Sequence, residues 1–307
     1  MSGQSWRNRL LGFSAIVFAV AAALFMVSNL LQFIDALQSH ALVGFSVGSG
    51  FSTISPLLAI PALAVAGVAF LLGPSRRAAR LGTATVLLAL GFSLGLVGDV
   101  IFASVAAAHD LVKKVIAGFS AEAAGDLWLA VAATVAAVAF FASTARGKQV
   151  LPRRDGLLGW GSASVAAAFV FMTTSTILFL VLYSDAGAVG SYTTGYGIAA
   201  GGDAAAVIAS AVAAAGFFVS SWRQRKDQPR WPAGRDVTLG VATAIFALAF
   251  LVTAVGVLVI ATADPENGIK GKQAAADWLG AMAYFGLMVT AACASIGFFL
   301  SRSKPTG

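Results

Sequence analysis

The chain has 307 residues, of which 59% are hydrophobic and 11% charged, and its mean hydropathy is +0.87. A soluble domain carries about 25% charged residues, so this composition excludes an ordinary soluble globular protein. The net charge of +7 would suit a nucleic-acid binder if the basic residues formed a patch, but they are spread along the chain, and nucleic acid is excluded as a partner.

Eight apolar stretches are long enough to cross a bilayer as helices: 10–31, 56–72, 81–108, 127–145, 157–183, 204–222, 237–263 and 278–300. Ten-residue alternating segments are absent, which excludes a transmembrane barrel, and backbone groups in lipid must then be paired inside helices. The first stretch follows a basic N-terminus as a signal peptide would. Its apolar run is longer than the roughly 7–15 residues of a signal core, so it is kept as a span.

The connections sort by charge. Sixteen of the 20 Lys and Arg lie on one side, in the groups Arg7/Arg9, Arg76/Arg77/Arg80, Arg146/Lys148/Arg153/Arg154, Arg223/Arg225/Lys226/Arg230/Arg235 and Arg302/Lys304. Only Lys113, Lys114, Lys270 and Lys272 lie on the other. The positive-inside rule makes the first side cytoplasmic and puts both termini there. Alanine-rich spans and the lack of any N-x-[ST] sequon fit a bacterial inner membrane, so the expected location is the plasma membrane.

Each odd-numbered span opens on an arginine followed by a glycine: Arg9 and Gly12, Arg80 and Gly82, Arg154 and Gly159, Arg235 and Gly240. Each even-numbered span closes on phenylalanine, small residues and a base, beginning at Phe70, Phe140, Phe217 and Phe298. Two of the expected outer loops share a Gly-x-Gly, at 48–50 and 195–197, each 20 residues before its closing Phe. The other two share an Ala-rich run ending in Asp126-Leu127-Trp128 or Asp277-Trp278-Leu279. The expected fold class is therefore an all-α integral membrane protein of eight transmembrane helices, arranged as four hairpins. A four-helix unit is duplicated in tandem, 1–151 and 152–307, about an axis along the membrane normal.

Asp99 reads as the one acidic residue well inside a span, and intramembrane acids are functional candidates. Seventeen residues beyond the four anchoring glycines stand Asn29, Asp99, Thr176 and Val257, so three repeats place a polar group at one level, a candidate polar belt. Asp99 falls about 27 Å along its span, near the outer boundary. Asp126 and Asp203 read as helix N-caps. Gly91 and Gly95 form a GxxxG, a close-packing surface for another helix. Pro56 reads as a first-turn residue and Pro61 as a kink. Trp128, Trp222 and Trp278 read as an aromatic belt at span ends.

Thr193-Thr194-Gly195-Tyr196-Gly197 resembles the filter of potassium channels, but a filter needs four such strands and only one outer loop carries it. His40 and His109 are too isolated to ligate haem, and the lone Cys293 reads as a packing residue. No cofactor or metal is expected. The spans hold no convergent acids, bases and nucleophiles, which argues against an enzyme. The expected function is a non-catalytic accessory or scaffold subunit, in contact with membrane lipid and with a membrane-protein partner or a second copy of itself. The alternative is a transporter or channel for an ion or small solute.

Overall fold

A computed structural model describes residues 3–38, 42–103, 111–144, 152–184, 189–227, 233–262 and 269–300. His40 and His109 lie outside the described residues. The eight helices are α1 (Gly3–Gln38), α2 (Leu42–Leu71), α3 (Arg76–Ala103), α4 (Leu111–Thr144), α5 (Pro152–Ser184), α6 (Val189–Asp227), α7 (Ala233–Ala261) and α8 (Ile269–Leu300). Each contains a window long and apolar enough to cross a membrane, so this is the all-helical fold of a multi-pass membrane protein. Large apolar side chains such as Phe13, Leu57, Val170, Ile208 and Leu248 are exposed, as lipid-facing residues must be.

The helices form a closed ring. Each packs against its neighbours in the chain, α1 packs against α8, and no other pair of described helices touches through its backbone. Adjacent helices run in opposite directions. Gly91 of α3 meets Gly125 and Leu129 of α4, for example, while Gly98 meets Gly118 and Glu122.

Small residues hold these seams. Ala21, Ala59, Ala69, Ala132, Ala139, Ala209 and Ala281 are almost fully buried, and alanine surfaces let helix axes approach closely. Hydroxyls add cross-helix bonds to backbone carbonyls. Ser55 donates to Ala21 at 2.6 Å, Ser175 to Gly195 at 2.7 Å, Ser295 to Gly12 at 3.0 Å and Thr290 to Ala242 at 3.2 Å. Ser14 donates to the Ala62 carbonyl.

One contact recurs at four places. A Cβ on Gly12 would lie 2.7 Å from Phe299, on Gly82 2.6 Å from Leu71, on Gly159 2.7 Å from Phe141, and on Gly240 2.9 Å from Phe218. In each case a large apolar side chain near the end of an even helix lies over the glycine near the start of an odd one. Phe299 of α8 on Gly12 of α1 is the contact that closes the ring.

The even helices begin well before the apolar stretches suggest, and this corrects several expectations. Both Gly-x-Gly segments lie inside helices, the first in α2 and the second in α6, so Thr193–Gly197 is helix and not a filter-like loop. Asp126 and Asp203 are interior residues of α4 and α6, not N-caps. Pro56 joins Pro61 inside α2 instead of opening it. Trp128 stands near the middle of α4, not at its end. The extra helix is Gly- and Ala-rich and carries scattered acids, which lowers its hydropathy. It is held by packing on its neighbour: Gly195 lies under Phe179, and Phe119 stacks on Phe179 at 6.0 Å between ring centroids.

Gly91 of the GxxxG is tightly packed, since a Cβ there would lie 2.7 Å from Leu129 and 3.0 Å from the Gly125 carbonyl oxygen, and Gly125 of α4 and Gly95 differ in the same way. A Cβ on Gly125 would lie 2.9 Å from the Gly91 carbonyl oxygen and 3.1 Å from the Gly95 nitrogen, both backbone atoms that cannot rotate away. A Cβ on Gly95 would meet nothing within 4 Å. Gly125→Ala is therefore expected to destabilise by roughly 1–3 kcal/mol, the usual cost of overpacking. Gly95→Ala is expected to be neutral or slightly stabilising through its better helix propensity. Denaturation titrations of the two variants in one detergent check this, and equal effects would contradict the assigned packing.

Candidate functional site

Periodicity brings the site together. On α3, Phe92, Gly95, Leu96 and Asp99 fall on one stripe with the spacing i, i+3, i+4, i+7; on α4, Glu122, Gly125, Asp126 and Leu129 do the same. With Phe25 of α1 and Pro56 of α2 these eight line a cavity of about 250 Å³. Because α1 and α4 do not touch yet both line it, the cavity opens into the ring rather than into a seam. Gly95 has no Cβ contact because its open side borders this cavity.

Three carboxylates share the space. The charges of Asp99 and Asp126 both act on Glu122. Thr176 of α5 donates to Asp126 at 3.4 Å and to the Met172 carbonyl at 3.1 Å. Asp99 and Glu122 make no hydrogen bond or ion pair with any described residue, and the cavity lining includes no Lys or Arg. A fourth acid is buried on α6 and is not among the residues that line this cavity. Asp203 of α6 is 3% exposed, and its charge and that of Asp99 both reach Tyr284 of α8. Tyr284 in turn stacks on Phe25, with centroids 4.8 Å apart and planes at 12°. Phe18 meets Phe92 edge-on at 6.4 Å, so aromatic faces and edges adjoin the carboxylates.

Of the candidate belt, only Asp99 is among the residues that line this cavity. Thr176 reaches it through Asp126. Asn29 donates to the Phe25 carbonyl at 2.9 Å and presses its Oδ1 towards Gly280 of α8, where a Cβ would lie 2.5 Å away. Sequence reasoning missed Glu122, Asp126, Asp203 and Tyr284. The sequence signal for the first two is the stripe Glu122–Asp126–Leu129, which an apolar span beginning at Leu127 leaves outside the helix.

Isolated carboxylates in a low-dielectric interior are costly unless they meet a cation or take up a proton. Asp99, Glu122 and Asp126 beside Phe25 and Phe92 suit a cation held by charge and by aromatic faces. Comparison with protein-family models, with curated proteins and with solved structures finds no match for this chain.

Proposed function

We propose that the protein binds and translocates a small organic cation, such as a protonated or methylated amine, through the interior of its helix ring. The observation that carries this reading is the cavity in which Asp99, Glu122 and Asp126 meet Phe25 and Phe92 without a basic side chain. Carboxylates supply the countercharge, and aromatic rings add cation–π attraction worth about 0.5–2 kcal/mol. The test is a current measurement on the protein reconstituted into liposomes on a solid support, with primary, dimethyl and tetramethyl ammonium ions and with Na⁺ and K⁺. Saturable currents with ammonium ions are expected. Currents with alkali ions alone would replace the organic cation by an inorganic one, and none with any cation would overturn the reading.

The accessory or scaffold role is a second reading, and one observation favours it. An apolar groove of about 460 Å³ runs between α1 and α8, lined by Ile16, Val20, Ala23, Met288 and Ile296 among others. Ile16 and Val20 lie on the face of α1 opposite Phe18 and Phe25, so the groove faces lipid or a partner helix. Native mass spectrometry of protein released gently from its membrane would reveal a stoichiometric partner.

We place the chain in the plasma membrane with both termini in the cytoplasm; the distribution of Lys and Arg supports the orientation, and the alanine-rich spans without an N-x-[ST] sequon support the membrane. The chain arose as four hairpins, two per copy of a duplicated unit, 1–151 and 152–307. The four like contacts of Gly12, Gly82, Gly159 and Gly240 support that history.

A further inference from the structure

Five residues before each of Gly12, Gly82, Gly159 and Gly240 stands an arginine: Arg7, Arg77, Arg154 and Arg235. The residue after each is Asn8, Ala78, Asp155 or Asp236. The guanidinium groups reach round the ring in one sense. Arg77 of α3 donates twice to Asp155 of α5, at 2.9 and 3.0 Å, and Arg154 of α5 donates to Asp236 of α7 at 3.3 Å. Arg7 of α1 points to the start of α3, where a Cβ on Gly73 would lie 2.9 Å from its Nη1 and 2.6 Å from the Cβ of Ala78. The residue at the acceptor's place there is an alanine.

Two carboxylates thus pair with Arg77 and Arg154, while Arg7 and Arg235 make no hydrogen bond or ion pair with any described residue. Arg235 lies 5.6 Å over the ring of Phe298 at the end of α8, the helix that closes on α1. It feels the like charges of both Arg154 and Arg7. The Nε of Arg235 is buried and has no hydrogen-bond acceptor, and that of Arg154 has only the Asp155 carboxylate, at 3.6 Å and beyond hydrogen-bond reach. Buried donors normally find acceptors, and half-buried like charges close to one another are costly without a counterion.

We propose that a phosphate group completes this cluster, bound by Arg7, Arg154 and Arg235 at the end of the ring where the odd helices begin. Planar guanidinium forks match phosphate oxygens in charge and spacing. Free phosphate and the headgroup of an anionic phospholipid share this chemistry. The proposal is independent of the cation reading, since the arginine cluster lies at the opposite end of α3 from Asp99.

The test uses the full chain, purified and delipidated in a neutral detergent. Its thermal unfolding midpoint is followed against inorganic phosphate, against NaCl of equal ionic strength, and against phosphatidylglycerol or phosphatidylcholine in mixed micelles. A ligand that binds only the folded protein raises the midpoint in proportion to its occupancy. A saturable rise with phosphate over NaCl identifies a free anion. A rise with phosphatidylglycerol alone identifies a lipid headgroup. In either case Arg7→Gln and Arg235→Gln are expected to weaken binding about tenfold or more, while Arg9→Gln, at an exposed arginine on the same helix turn, leaves it unchanged. Arg235→Lys serves where Arg235→Gln does not fold, and is expected to bind more weakly because the fork is lost. No stabilisation by either ligand, or equal loss in Arg9→Gln and Arg7→Gln, would overturn the proposal.

Discussion

Glu122→Gln is expected to raise the concentration of cation needed for half-maximal current by about 10–100-fold, which is what a lost interaction of roughly 1.5–3 kcal/mol with a charged group amounts to. Asp126→Asn is expected to cost less on its own, because Thr176 can still donate to the remaining oxygen. The double variant should abolish measurable current. Asp277→Asn is the contrast: its carboxylate accepts from Gln273 at 3.0 Å and is not among the cavity residues, so current should stay within about twofold, well inside a single hydrogen bond's worth.

Stability is expected to move the other way. Asp99 and Glu122 have no partner among the described residues, so neutral isosteres remove a desolvation cost without breaking a bond. Resistance to denaturant should therefore rise, or at least hold, in Asp99→Asn and Glu122→Gln. A structural role for these acids predicts the opposite sign. Measuring current and unfolding on the same preparations separates the two, because loss of both together would mean that the carboxylates hold the fold and not a cation.

The sequence makes the eight spans legible because a bilayer imposes a minimum apolar length, and each helix contains such a run. The outer halves of the even helices are not legible by that rule. The segment from Leu111 to Asp126 carries two lysines, a glutamate and several small residues, and its hydropathy resembles a loop. One face of it packs on α3, where the missing side chain of Gly98 leaves room for the Glu122 side chain and the Gly118 carbonyl. Packing of this kind joins residues that are distant in the chain, and no window average contains it. The same limit explains Asp203. An acid before an apolar run reads as an N-cap, and only the start of α6 at Val189 places it inside a helix. Ring closure is equally non-local, since Gly12 and Phe299 stand at opposite ends of the chain. The arginine register at five residues before each anchoring glycine was visible from the start. The ion pairs of Arg77 with Asp155 and of Arg154 with Asp236 join different helices, and no local pattern contains them.

That register carries the largest stability effect expected. Asp155 is 4% exposed, accepts both bonds of a bidentate pair from Arg77, and lies 3.6 Å from Nε of Arg154. Truncating one member of a buried ion pair costs about 3–5 kcal/mol, because the other charge is left behind. The two arginine side chains are 29% and 25% exposed, and solvent screening reduces that figure, so Asp155→Ala is expected to cost roughly 2–3 kcal/mol. Asp155→Asn keeps an acceptor but not the charge and should fall between. The decisive variant is Arg77→Met combined with Asp155→Leu. Removing both charges and filling their space with apolar atoms often restores stability, so the pair should unfold within about 1 kcal/mol of the wild type. Recovery would show that the Arg77–Asp155 pair mainly avoids an unpaired charge at the junction of α3 and α5. If the apolar pair proved as unstable as Asp155→Ala, the contact with Arg154 would be the essential one, and Asp155 would act as the keystone of the whole arginine ring.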